Sequence, residues 1–440
     1  MMNSEFRKVL VIAYYFPPMG LSGVQRTAKF MKYLPKYGWK PTVLTVSPTG
    51  YYAVDATLLE EVEQAGTEIV RASSLDPNRL FKSQGVVKMP SERVRKILQF
   101  AGDAVFVPDT KIGWKSKALK AATELLSREH FDVIFATAPP QTDFLIGEAL
   151  KKKFGLPLVL DYRDAWLDYP FKYYPTPLHR YMHYRLEKRV LKVADRIIVT
   201  VRRVKESILK HYLGIDYHDI AIIPQGYDPA DFVSRPVSKP AARRKMRITH
   251  AGTFYADRNP SVLLQALHNL LRDVPQMRGR LELSLIGNVR EADQMLVSKL
   301  GLQNDVKFLG YLDHKECTRL LMESDVLWLV LDNDYQSPGK LYEYLGARKP
   351  ILGSLEEGSM KQLILESGAG VCVPLKDLKA HEDAVRGLFA QYEKNQLKQV
   401  PEEFSGRYDR QMLTGELARQ FESLMDIDKN AFVKLEEEGS

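Results

Sequence analysis

The chain has 440 residues, 45% hydrophobic and 27% charged, enough to bury two or three separate cores in an ordinary globular protein. No apolar run approaches the ~20 residues of a membrane-spanning helix, and two cysteines, Cys317 and Cys372, provide no disulfide framework beyond a single bridge and suit a reducing cytoplasm. The net charge of +8 is split unevenly: residues 1–250 carry 40 Lys and Arg against 25 Asp and Glu, and residues 251–440 carry 23 against 30, so the first half is expected to face something anionic, a membrane surface or a polyanion.

The first apolar stretch, Val9–Ala13, runs straight into Tyr14-Tyr15-Phe16-Pro17-Pro18 rather than a small-residue cleavage site, and reads as a strand, not a signal peptide. Further strands are predicted at Pro41–Val46, Asp132–Thr137, Leu156–Asp161, Arg196–Thr200 and Ile220–Pro224, with helices between them. The helix from about Gly23 to Tyr37 sets Val24, Ala28, Met31 and Leu34 on one side and Arg26, Lys29, Lys32 and Lys36 roughly opposite, as a helix covering a sheet requires. A stretch rich in Pro, Ser and basic residues, 227–245, reads as a linker between a first domain, 1–226, and a second, 246–400. In the second domain strands are predicted at Arg247–Gly252, Leu281–Gly287, Val306–Leu309, Val326–Val330, Pro350–Gly353 and Gly370–Val373, with helices at Pro260–Leu271 and Glu291–Leu300. Residues 401–440 supply a closing helix around Arg410–Met425 and an acidic tail. The alternation predicts an α/β protein of two doubly wound, Rossmann-like domains facing a central cleft, with ligands at the carboxyl ends of the strands.

Several strand ends carry chemistry. The Tyr14–Arg26 loop has Gly20 and Gly23, which admit close approach to the backbone, ahead of a helix N-terminus with its free N–H groups and positive dipole. Asp161-Tyr162-Arg163-Asp164-Ala165-Trp166 sets two carboxylates around an arginine, either a buried network that shapes the domain or part of a site. In the second domain Ser337, Gly339 and Lys340 open a helix just after a strand, where a pyrophosphate would meet N–H groups, the helix dipole and an ammonium together. Glu343 lies one turn on, placed to accept hydrogen bonds from both hydroxyls of a ribose, or else to form an ordinary surface pair with Lys340.

The run Ser337–Leu352, the Tyr14–Arg26 loop, Asp161–Trp166 and Ile223–Asp228 together resemble the family 4 glycosyltransferases, and the likeness extends over nearly the whole chain. It is closest to members that build bacterial surface polysaccharides. The resemblance implies the GT-B fold, with the final helix crossing back to the first domain, the acceptor held by the first domain and a UDP- or GDP-linked sugar by the second. It also implies retaining transfer with no bound metal or other cofactor. Position by position, Glu343 matches the second glutamate of the family's paired-glutamate motif, while Tyr335 stands where the first is usual. Ser337, Pro338, Gly339, Lys340 and Leu341 match the segment on phosphates and ribose; Arg258, in the run from Gly252, matches the basic residue directed at the diphosphate. Gly287 matches the close-approach glycine of the nucleotide site, and Tyr311 and Leu312 the loop beside the base. Arg163-Asp164 occupies the place where many relatives carry a histidine followed by an acid, and Gln225 the place of a commoner asparagine. Lys340 and Arg258 are expected to hold the departing diphosphate, and Asp164 to orient the acceptor hydroxyl beside Arg26 and Arg163. Asp332-Asn333-Asp334 superficially resembles the metal-binding triplet of another glycosyltransferase fold, but it leads into the phosphate-binding helix and is not expected to hold metal.

Two segments carry basic and apolar residues together: Ser91–Gly102, with Val94, Ile97, Leu98 and Ala101 flanked by Arg93, Arg95 and Lys96, and Tyr169–Arg189, which interleaves Phe171, Tyr173, Tyr174, Tyr181 and Tyr184 with Lys172, Arg180, Arg185, Lys188 and Arg189. They suggest a cytoplasmic enzyme held peripherally on the anionic inner face of the cell membrane, its acceptor linked to polyprenyl diphosphate. The alternatives are a nucleotide-sugar epimerase of the same fold, which would consume donor with no acceptor, and a non-catalytic nucleotide-sugar-binding scaffold. Nucleic-acid binding is disfavoured, because Asp161, Asp164 and Asp168 interrupt the basic charge and no recognition motif is present.

Overall fold

The computed structural model describes residues 6–20, 22–48, 54–75, 100–233, 245–254 and 258–438, with side chains up to 425. Most of the Ser91–Gly102 stripe, the 234–244 part of the linker, and Tyr255–Asp257 lie outside the described residues. The chain divides into two compact units, residues 1–224 with 410–440, and residues 225–409.

The first unit is a parallel sheet ordered β3-β2-β1-β4-β5-β6-β7. Its elements run β1 (Arg7–Ile12), α1 (Ser22–Tyr33), β2 (Trp39–Val46), α2 (Ala56–Gln64), β3 (Glu68–Ala72), α3 (Lys115–Arg128), β4 (Val133–Ala138), α4 (Thr142–Phe154), β5 (Leu158–Tyr162), α5 (Pro177–Leu191), β6 (Arg196–Val199), α6 (Arg202–His211) and β7 (Ile220–Ile222). All of β4 and β5 is buried, which is why such strands read as near-continuous apolar runs: helices cover both faces. The short β3 escapes that pattern because it lies at the sheet's edge and carries Glu68 and Arg71.

Helix α1 corrects the expectation drawn from periodicity. Val24, Ala28 and Met31 are buried as expected, but so are Arg26 and Lys29. Each cation is drawn inward by a carboxylate: Lys29 Nζ donates to Glu61 Oε2 on α2 at 2.7 Å, and Arg26 pairs with Asp161 on β5. The α-helix stops at Tyr33 and tightens to a 3-10 turn over Leu34–Tyr37, because Pro35 has no N–H for a further helical bond.

The second unit is a parallel sheet ordered β10-β9-β8-β11-β12-β13. It contains β8 (Met246–Ala251), α7 (Ser261–Asp273), β9 (Leu281–Ile286), α8 (Glu291–Lys299), β10 (Val306–Gly310), α9 (His314–Glu323), β11 (Val326–Leu331), α10 (Gly339–Ala347), β12 (Ile351–Leu355), α11 (Ser359–Glu366), β13 (Gly370–Val373), α12 (Leu378–Glu393) and α13 (Glu402–Gly406). Tyr227, within the stretch read as linker, belongs to this unit: its N–H donates to Tyr408 O, and its ring lies against Gly346 of α10 so closely that no Cβ would fit there.

The last helix, α14 (Arg410–Glu438), belongs to the first unit and buries Leu413, Leu417, Ala418, Phe421 and Leu424 in its core. The Phe421 ring sits 5.1 Å from Trp39 and 5.6 Å from Phe135, both edge-to-face. The tail expected to follow Met425 is instead helical as far as Glu438. Both cysteines are free.

Candidate functional site

In each sheet the strand order reverses beside the first strand, between β1 and β4 and between β8 and β11, and the chain ends bordering such a reversal form a natural binding site. In the second unit this place collects residues from four strand ends. Gly252 follows β8, Gly287 follows β9, Tyr311 and Leu312 follow β10, and the loop 332–338 links β11 to α10. Gly287 has φ 116°, and a Cβ there would stand 2.2 Å from Gly252 O, so only glycine admits this approach of the two loops.

Helix α10 is fixed under this site by its own tyrosines. The Tyr344 hydroxyl accepts from Ala251 N at 2.8 Å and donates to Trp328 O at 3.3 Å, and Tyr342 shares a 2.9 Å bond with Ser337 Oγ. At its first turn, Lys340 Nζ donates to Glu343 Oε2 at 2.6 Å and lies 3.8 Å from Cys317 Sγ on α9. Burial works against the ammonium, but the Cys317 sulfur and the Glu343 carboxylate outweigh it and hold the Lys340 pKa above its ordinary value. Burial pushes the Cys317 thiol up, against the pull of the neighbouring Lys340 ammonium. Leu341 is fully buried and packs the helix down, while Tyr311 is exposed.

Arg258 reaches the same place. Its Nε donates to Asp332 Oδ1 at 2.8 Å and its Nη2 to Gln336 Oε1. Asn333 Nδ2 also donates to Asp332 Oδ1, at 2.8 Å, so Asp332 is engaged in orienting an arginine and an amide. Among the described residues no group of three or more His, Cys, Asp or Glu converges as metal ligands would. Tyr335, in the position of the family's first glutamate, is half-buried, its N–H bonded to Asn333 Oδ1 at 3.2 Å. The link of Asp332 and Gln336 to Arg258 and the contact of Cys317 with Lys340 were not foreseen from sequence; the one available signal, a polar cluster straight after an apolar strand, was also present in the acidic triplet.

The first unit places its singled-out residues differently. Arg26 Nε and Nη2 both donate to Asp161, Nη2 at 2.9 Å, while Nη1 donates to Pro224 O at 2.7 Å and Nη2 also to Ile223 O at 3.0 Å. Thr137 Oγ1 donates to the other carboxylate oxygen of Asp161 at 2.8 Å. Arg163 is buried, its Nη1 and Nη2 donating to Gly23 O and Pro139 O, so that it ties the start of α1 to the end of β4. Burial lowers its pKa despite the nearby carboxylates of Asp161 and Asp164. Gly20 lies buried in the loop after β1, and Asp164 is half-buried beside Arg163. Sequence reading missed Asp143, at the start of α4: its Oδ2 accepts from Tyr14 N at 2.8 Å, and burial raises its pKa well above the ordinary carboxylate value.

Residues 22–231 match the family described as Glycosyltransferase Family 4, and residues 236–399 that described as Glycosyl transferases group 1. A D-inositol 3-phosphate glycosyltransferase of Geodermatophilus obscurus is 24% identical over 223 residues, 47% of this chain and 48% of that protein. The chain thus spans about half the length of the curated relatives it matches. Among solved structures, sucrose-phosphate synthase of Thermosynechococcus elongatus covers 96% of this chain and 100% of its own at 16% identity and a TM-score of 0.66. Anabaena HepE in complex with UDP and glucose covers 95% of this chain and 100% of its own, at 15% identity and a TM-score of 0.65. At such identities these structures establish the fold, and the two sheets with their alternating helices are those of GT-B proteins. On both family matches, which together span most of its length, the chain belongs to the family 4 glycosyltransferases of the GT-B fold.

Proposed function

We propose that the protein transfers a glycosyl group from a UDP- or GDP-linked sugar to a lipid-linked saccharide in bacterial surface-polysaccharide synthesis, with retention and without a metal or other cofactor. The observation that carries the donor half is the Lys340–Glu343 pair on the first turn of α10, with Arg258 held beside it by Asp332. The helix N-terminus, the ammonium and the guanidinium supply the positive field that a leaving diphosphate needs. Glu343 accepts the ribose hydroxyls, and Gly252 and Gly287 let the nucleotide approach the backbone. In the reaction the bond from the sugar's anomeric carbon to the diphosphate breaks as the acceptor oxygen bonds to the same face. The acceptor's proton passes to the departing phosphate oxygen, and Asp164 orients the acceptor hydroxyl.

An anionic, membrane-borne acceptor is supported by the charge excess of residues 1–250 and by a surface on the first unit. Tyr173, Leu178, Tyr181 and Met182 are exposed at and before the first turns of α5, Leu178 by 62%, and the Phe100 ring stacks 4.9 Å from Tyr173. Arg180 and Arg185 flank them, whereas Lys172 and Tyr174 of the same stretch turn inward, to Asp103 and to the carbonyls of Trp166 and Leu167. Among the described residues no helix is long and apolar enough to cross a membrane, so attachment on this reading is peripheral, at the cytoplasmic face. The relatives' action on an inositol phosphate makes a small phosphorylated polyol the second acceptor class.

A thermal-shift screen with UDP, GDP, ADP, CMP and their sugar conjugates tests the donor. A ligand at a hundredfold excess over its Kd adds about 2.7 kcal/mol of stability, and the shift is expected for one nucleotide family only. No shift for any of them removes the nucleotide-sugar reading; a shift without turnover moves it to a binding scaffold, and donor isomerised without acceptor moves it to an epimerase. Co-sedimentation with vesicles that does not respond to anionic lipid removes the membrane-borne acceptor and leaves the phosphorylated polyol.

A further inference from the structure

His250 lies near the end of β8 and is only 5% exposed. Its ring stacks on Phe254 at 4.5 Å, and its Nδ1 lies 3.0 Å from Trp328 O. A carbonyl only accepts, so Nδ1 carries the proton and Nε2 presents a lone pair when the ring is neutral. Neutrality is enforced: burial pushes the pKa down to about 4, the Lys340 and Arg258 cations add to this, and only the bond to Trp328 opposes it. Tyr344, the remaining polar group packed against this strand end, has its hydroxyl committed to Ala251 N and Trp328 O.

Nε2 has no hydrogen-bond partner among the described residues. It faces Gly252: a Cβ built there would stand 3.1 Å from Nε2 and, among the described residues beyond its chain neighbours, would approach no other within 4 Å. Nε2 is thus a buried, unsatisfied acceptor directed at the Gly252 backbone, where leaving it unpaired is costly. The Gly252 carbonyl meets Gly287 of the loop after β9, so this backbone belongs to the site assigned above to the nucleotide.

We propose that His250 is a further donor-contacting residue, its Nε2 accepting a hydrogen bond from a hydroxyl of the bound nucleotide sugar, on the ribose or on the transferred sugar. A phosphate oxygen does not fit, since two acceptors would then face each other with no proton between them. Lys340 and Arg258 thus address the diphosphate, while His250 reads a hydroxyl beside it. The inference rests on the nucleotide-sugar reading above.

The test is calorimetric titration of the full chain with UDP, UDP-glucose, GDP and GDP-mannose, in wild type, His250→Asn and His250→Gln. Asparagine keeps a donor for Trp328 O but has no acceptor at the Nε2 position; glutamine can restore one. For the nucleotide that binds wild type, His250→Asn is expected to weaken binding about tenfold, the cost of one hydrogen bond to a buried acceptor, and His250→Gln to recover most of it. A loss shared by free nucleotide and sugar conjugate places the hydroxyl on the ribose; a loss confined to the conjugate places it on the sugar. Unchanged affinity in His250→Asn overturns the proposal, as does a loss in both variants accompanied by an equal fall in Tm without ligand, which marks a purely structural residue. If wild type binds none of the four, the donor reading fails and this inference fails with it.

Discussion

Each unit pairs a basic with an acidic residue near its strands and their following helices, but the two use the pair in opposite ways. In the first, Arg26 and Asp161 are 1% and 0% exposed, and Arg26 directs Nε, Nη1 and Nη2 at protein acceptors drawn from β5 and the segment after β7. In the second, Lys340 and Glu343 form a shorter pair, 2.6 Å against 2.9 Å, yet the Lys340 side chain remains 23% exposed on the first turn of a helix. A fully enclosed pair holds strands together; a pair open on one side has capacity left for a ligand. Residue type and spacing do not separate these cases. Enclosure does.

Breaking the enclosed pair is expected to have the largest effect. Asp161→Ala leaves the Arg26 guanidinium buried without its counter-ion, a loss of about 3–5 kcal/mol, read as a lowered denaturation midpoint in urea. A loss below about 1 kcal/mol, the range of an exposed pair, would erase the distinction between the units. Lys340→Ala is the counterpart: kcat/KM for the nucleotide sugar is expected to fall about a hundredfold, equivalent to about 2.7 kcal/mol, with a smaller change in the urea midpoint than Asp161→Ala produces. The reverse order, more stability lost at Lys340 than at Asp161, would mean that α10 and not the β5 pair is the structural centre.

The same distinction governs what the sequence reveals. The strands are legible where both faces are covered, as in Val326–Leu331, because burial on both sides demands an unbroken apolar run. Edge strand β3 is not, since one exposed side tolerates Glu68 and Arg71. A helical projection sets Arg26 and Lys29 away from the apolar stripe, but it records only angle and knows nothing of a carboxylate waiting on a neighbouring element. Ser337–Glu343 was recognisable because its polar groups are contiguous in the chain. The contacts of Arg258 with Asp332, and of Cys317 with Lys340, join residues 74 and 23 positions apart, and only the folded sheet brings them together. His250 offered one faint sign, a titratable side chain inside the apolar strand Met246–Ala251, two residues ahead of a close-approach glycine.

Enclosure also predicts a pH response from Glu187, opposed below about pH 6.5 by the buried histidines His183 and His250, whose pKa values are pushed down to about 3 and about 4. Glu187 on α5 is buried, accepts from Tyr212 Oη at 2.7 Å, and burial pushes its pKa up to about 8. The unfolded carboxyl titrates near its ordinary value, so between about pH 5 and pH 8 the unfolded chain has released a proton that the folded chain retains. The Glu187 contribution is therefore complete at the acidic end of that window and is lost as pH rises, by about 1.4 kcal/mol per pH unit, and it sets the slope above about pH 6.5, where the histidines are neutral in both states. Glu187→Gln should flatten the slope while preserving the fold; a slope that persists in this variant assigns it to another group.

The smallest effect is expected where ion pairing is geometrically best. Arg319 on α9 bonds Glu316 at 2.8 and 2.6 Å and also reaches Glu323, a fuller set of carboxylate contacts than Lys340 makes two residues along the same helix's neighbour. All three side chains are substantially solvated, so water competes for every bond and salt screens the attraction. Cys317, also on α9, faces the other way and is buried against Lys340. Arg319→Ala should leave both the urea midpoint and the nucleotide affinity within experimental error of wild type, whereas Cys317→Ala, which removes the sulfur from the Lys340 ammonium, should weaken nucleotide binding severalfold. A response at Arg319 as large as that at Cys317 would show that contact geometry, and not enclosure, sets the worth of a charge in this protein.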